Sequence, residues 1–218
     1  MDIYDAALVV HVLGWVFWLG TDVGVFFSAK FAERGDLTPE TRLTLLELGM
    51  LLDRAPRFAV PIVWFTGVVL MHRYGYFFIP LTAASVVLAI WIGLTWAVLF
   101  RPAGSTLHEK ALLAQALVYF MVIFGMGGAG SWLLATDQIP LWIAIKWFAY
   151  VGLAVVAILL ERAFAPVTNL FQTLAVEGAN DSLNMRIRTA LKPVYALVLA
   201  IYFCTIVAAV SGLTKPFL

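Results

Sequence analysis

Residues 78–100 read Phe78-Ile79-Pro80-Leu81-Thr82-Ala83-Ala84-Ser85-Val86-Val87-Leu88-Ala89-Ile90-Trp91-Ile92-Gly93-Leu94-Thr95-Trp96-Ala97-Val98-Leu99-Phe100, without one charged side chain. A helix of about 20 apolar residues crosses the hydrocarbon of a bilayer. Working outward, the same test is met at about 6–29, 58–77, 111–135, 140–160 and 194–213. The 218 residues are 63% hydrophobic and 12% charged, about half the charge of a soluble domain, with a mean hydropathy of +0.95. The expectation is an all-α, polytopic bundle of six transmembrane helices forming one integral membrane domain, 1–218, with the lipid bilayer as its first partner.

The same arithmetic excludes classes of function. A net charge of +1 lacks the basic footprint that nucleic acid requires. Cys204 stands alone, which excludes an internal disulfide and cysteine-rich metal sites and leaves His, Met, Lys and carboxylates as ligands. The opening Met1-Asp2-Ile3-Tyr4-Asp5 is acidic where a signal peptide is basic, so the first span is expected to remain.

Eleven Lys and Arg residues fall on the side reached by the end of the first span, against three, Arg73, Lys146 and Lys215, on the N-terminal side. The positive-inside rule then puts both termini extracytoplasmic in a bacterial-type inner membrane. On the basic side, Thr38-Pro39-Glu40 is a helix-start signal, and about 38–54 reads as an interfacial cytoplasmic helix. Asn169 to Lys192 reads as another.

Ionisable groups inside a span cost about 2.5–3.5 kcal/mol at its centre and ask for a partner or a function. His11 and Lys146 lie about five residues inside the outer edge of their spans, and His72 ends the second span at that edge, so three helices bring costly groups to one layer. Two imidazoles suit the axial positions of haem b, making His11 and His72 the candidate metal ligands, with Arg73 a partner for a propionate. Lys146 has two readings, a clamp on an acidic group and a side chain snorkelling to the surface. Gly125-Met126-Gly127-Gly128-Ala129-Gly130 sits within a span, where Gly127 and Gly128 either pack helices closely or clear a flat surface for a planar cofactor. Asp22 follows His11 by eleven residues and returns to within about 20 degrees of the same helix face, along with Trp15 and Trp18. It is a candidate for proton handling, or for an ion pair with Arg57.

The segments His11-Val12-Leu13-Gly14-Trp15, Asp53-Arg54-Ala55-Pro56-Arg57 with Thr66-Gly67, and Ile145-Lys146-Trp147 resemble the superfamily of CopD-type copper-resistance proteins and HemJ-type protoporphyrinogen oxidases. For the HemJ branch the resemblance implies haem and catalysis at His11 and Lys146. For the CopD branch it implies copper handling, with Met71 and His72 beside His11. The expectation is a haem b-binding electron-transfer or oxidoreductase component, exchanging electrons with quinone or a redox partner protein. The alternatives are a copper transporter and a structural subunit, and a homo-oligomer fits each.

Overall fold

A computed structural model of the chain describes residues 2–76, 78–102 and 105–215; residue 77, where the second span was expected to close, lies outside them. In order come α1 (Ile3–Ala32), α2 (Pro39–Leu52), α3 (Arg54–Arg73), α4 (Leu81–Phe100), α5 (Thr106–Met121), a π-helical turn (Val122–Met126), α6 (Gly127–Ala135), α7 (Leu141–Glu177) and α8 (Asp181–Thr214). The described residues contain no strand. With α2 and α3 taken together, and α5 with α6, six helical segments are long and apolar enough to cross a membrane. The chain is an all-α, multi-pass membrane protein.

The chain packs as two compact units. The first comprises Met1–Phe27 and Glu47–Gln115. Here α1 meets α3 and the end of α2 through glycine: a Cβ on Gly14 would stand 2.7 Å from Val63 Cγ2 of α3, and one on Gly24 would stand 2.9 Å from Leu52 Cδ1 of α2. A larger residue at either position has to displace the facing side chain. Trp64 against Trp91, with centroids 6.2 Å apart, joins α3 to α4, and Gln115 Nε2 donates to Thr95 Oγ1 at 3.3 Å to tie α5 to α4. Between α3 and α4 the chain reverses at Gly75, whose φ of 83° is open to glycine without strain.

The second unit, Ser28–Leu46 and Ala116–Leu218, is dominated by α7 and α8. At 37 residues α7 is about 55 Å long, against about 30 Å of hydrocarbon. That length is more than one crossing of the hydrocarbon requires. Gly178, at φ 76°, ends α7, and Asn180 caps α8 by accepting from the Leu183 amide at 2.8 Å. Val167, Phe171, Leu174, Leu183, Ile187 and Leu191 form a dry seam between the two helices. This corrects the expectation of a separate helix over Asn169 to Lys192. Pro166 and Pro193 lie inside α7 and α8 rather than at their ends.

The helix expected near 38–54 is present as α2, but its first half packs on protein. Arg42 is 0% exposed, donating from Nε to the Ala32 carbonyl and from Nη1 to Asn184 Oδ1, both at 2.7 Å, with Phe171 beneath it. Leu43, Leu45 and Leu46 pack against the same α7–α8 core.

Candidate functional site

The inward face of α1 is the one its periodicity indicates. Trp18 and Asp22 are each 6% exposed, and His11 and Trp15 are half-buried, whereas Val12, Leu13, Val16 and Phe17 lie open on the opposite face. The site in the first unit is built where this face meets α3.

His11 is held at both ring nitrogens. The Thr66 hydroxyl donates back to the Ile62 carbonyl at 2.8 Å, which leaves its lone pairs to accept from His11 Nδ1–H at 2.9 Å. Trp15 Nε1–H, having no lone pair to offer, donates to His11 Nε2 at 3.1 Å. The imidazole is thereby fixed as the neutral Nδ1–H tautomer, with its basic nitrogen at Nε2. That is how a ligating histidine is oriented, with one nitrogen anchored by a fixed acceptor and the other presenting its lone pair. Gly67 gives the ring room, since a Cβ there would already touch His11 Cε1 at 3.5 Å.

His72 is not brought to the same place. It follows Gly67 by five residues, which turns it about 140 degrees around α3 and moves it about 7.5 Å along the axis. Its Nε2–H donates to the Ile79 carbonyl at 2.8 Å, pinning the turn into α4. Arg73, beside it, reaches Asp5 at 3.3 Å and lies over the Tyr4 ring, so the N-terminal end of α1 is tied to the C-terminal end of α3.

Arg57 Nε donates to Asp53 Oδ2 at 2.6 Å, four residues earlier at the N-cap of α3, and Asp22 Oδ2 has no hydrogen-bond partner. Between Asp22 and His11 the Trp15 and Trp18 rings stack, with centroids 5.1 Å apart and planes 5° from parallel.

Lys146, Gly127 and Gly128 belong to the second unit. The Lys146 ammonium sits directly against the bare backbone of α8 at Gly212, over the Trp142 ring, so it is packed between α7 and α8. Lys215 approaches the same indole, and Ser211 Oγ donates to the Trp142 carbonyl at 2.7 Å. Gly127 faces Val151 of α7 at 3.8 Å, whereas Gly128 has nothing within 4 Å. Gly130 is the tightest of the series, its Cβ position lying 3.2 Å from the Trp147 ring. Close packing thus accounts for Gly130, whereas a Cβ at Gly127 would make only ordinary contact, and the turn that precedes them is π-helical, a distortion frequent at functional sites.

Sequence reasoning missed Thr66 as the partner of His11, Asp53 as the partner of Arg57, and the Arg42–Asn184 contact. Thr66 and Asp53 had been noticed only within short motifs. Among the described residues no three His, Cys, Asp or Glu side chains gather as a metal-binding group. No family model, no curated protein and no solved structure matches the chain.

Proposed function

We propose that the chain is a haem b-binding electron-transfer or oxidoreductase component of a bacterial-type inner membrane, akin to the CopD and HemJ proteins, with its site toward the extracytoplasmic face. The observation that carries this is the anchored His11 tautomer. A half-buried histidine within a span, oriented through Thr66, could hold a haem iron, and Nε2 is the nitrogen it presents.

Haem b fits this donor set at one imidazole. His11 Nε2 would hold the iron once the Trp15 N–H gives way, and the Arg73 guanidinium, now shared with Asp5, suits a propionate. When bound, the group supplies one-electron transfer. The protein's part is to orient the imidazole through Thr66 and to keep water from it with the Trp15–Trp18 stack. His72, committed through Nε2 to the Ile79 carbonyl, serves the α3–α4 turn in this reading. Electrons are exchanged with quinone or with a redox partner protein.

The test is an absorption spectrum of detergent-purified protein, oxidised and then dithionite-reduced, beside His11→Ala and His72→Ala. A reduced α band lost in His11→Ala and kept in His72→Ala is the expected result. Protein that stays colourless after haem is supplied overturns the proposal.

A further inference from the structure

We infer that Asp22 is a proton-binding group served from the face at which α1 ends, through Asp53, and closed off from the His11 site by the stacked Trp15 and Trp18. This deepens the function proposed above by giving its site a sided proton store. It stands on α1–α3 packing, however, so it is read in protein that carries no haem.

Three observations meet at Asp22. First, the side chain is 6% exposed inside a membrane-spanning helix, and its Oδ2 has no hydrogen-bond partner. An ionised carboxylate in such a place is costly, whereas a carboxylic acid is tolerated, so a proton can be held there and released only where a path to water exists.

Second, the path lies toward the junction of α2 and α3. Gly14 lies against Val63 and His11 against Thr66, so α1 and α3 run antiparallel, and the face of α1 that carries His11 and Asp22 meets the start of α3 at the depth of Asp22. Asp53 immediately precedes that start. Its own side chain is one-third exposed, as is that of its partner Arg57. Asp53, Arg54 and Arg57 are the charged groups at this start of α3. The Arg57 guanidinium holds one Asp53 oxygen at 2.6 Å, which fixes the carboxylate at the mouth of the path.

Third, the opposite direction is blocked. Asp22 and His11 are eleven residues apart, about 16 Å along the helix, and the rings between them are indoles. An indole N–H donates but cannot accept, so it relays no proton, and that of Trp15 is already given to His11 Nε2. The stack separates a proton site on one side from an imidazole on the other.

The experiment uses the full chain, free of haem, in sealed phosphatidylcholine–phosphatidylglycerol vesicles whose protein orientation is fixed by protease accessibility. The pH is stepped on one side at a time while the carboxylic C=O stretch is followed by infrared difference spectroscopy. The expected result is a band, absent in Asp22→Asn, that responds to pH on the Asp53 side only and responds more slowly in Asp53→Asn. A band that follows pH on the side of the α1 N-terminus overturns the inference, as does the absence of any pH-dependent band that an Asp22 variant alters. If Asp22→Asn does not assemble, Asp22→Glu takes its place: the band is then expected to shift in frequency, and an unshifted band overturns the assignment. Failure of the haem spectrum leaves these readouts untouched.

Discussion

Thr66 accepts a hydrogen bond from His11 Nδ1 at 2.9 Å because its own proton is spent on the Ile62 carbonyl one turn back. The hydroxyl is a one-way acceptor, and the direction of that bond decides which imidazole nitrogen carries the lone pair. Thr66→Val preserves shape and deletes the acceptor. Loss of such an orienting partner is expected to weaken haem affinity by about 10- to 100-fold and stability by about 1 kcal/mol. Thr66→Ser, which keeps the acceptor, is expected to restore both. Haem titration followed by absorbance, with thermal unfolding in the same detergent, separates the two effects.

The α1–α3 contact makes a second expectation. Gly14→Ala puts a methyl 2.7 Å from Val63 Cγ2, and Val63, 2% exposed and stiff at its branched carbon, has nowhere to turn. A loss of about 1–3 kcal/mol is expected from the overpacking. Val63→Ala in the same chain is expected to recover most of it, whereas Gly20→Ala, with open space around it, is expected to be neutral. Unfolding midpoints of the single and double variants read this directly, and additivity of the two singles would refute the contact.

Arg42 is expected to be indispensable to the second unit. Its guanidinium joins the last carbonyl of α1 to Asn184 of α8 while fully buried. Arg42→Ala is expected to cost about 2–3 kcal/mol, since hydrogen bonds to a charged donor are among the stronger ones. Arg42→Lys, unable to fork toward both acceptors, is expected to recover only part. A double-mutant cycle with Asn184→Ala measures the shared portion, and a coupling of zero would remove Asn184 from the account.

Lys146 is expected to be shielded. With its ammonium against Gly212, a membrane-impermeant amine reagent is expected to label it far more slowly than the half-exposed Lys30. Gly212→Ala displaces only the far end of a flexible chain, so stability is expected to change by less than about 0.5 kcal/mol, while labelling of Lys146 speeds up. Mass-spectrometric mapping of the modified lysines checks both, and equal labelling in the two proteins would return Lys146 to the lipid surface.

Much of this is written plainly in the chain. The apolar runs mark the spans, because hydrocarbon leaves the backbone no alternative to a helix. The face bearing His11, Trp15, Trp18 and Asp22 follows from 100 degrees per residue. What escapes such reasoning depends on register between helices. Nothing in the composition of α3 says that Thr66, rather than a neighbour one turn away, meets His11. Arg57 meets Asp53 because a partner four residues away on the same chain needs no tertiary alignment, a pairing that the search for a partner to Asp22 overlooks. The length of α7 and α8 is hidden for a different reason. Glu161, Arg162 and Pro166 look like the end of a span, but the helix continues to Glu177 because Phe171 and Leu174 find Leu183 and Ile187 across the hairpin.

The loneliness of Asp22 also bears on how the protein is made. Because α1 emerges from the ribosome before α3 exists, its carboxyl enters the translocon with no partner from that helix, at a cost of about 2.5–3.5 kcal/mol at mid-helix. Leu8, Val9, Val10, Val12, Leu13, Val16 and Phe17, all exposed on the lipid-facing side, each contribute about −0.3 to −0.6 kcal/mol. Their sum is of the same size and opposite sign. The greasy flank of α1 is thus what carries its polar face into the membrane, ahead of the helix that will later cover it.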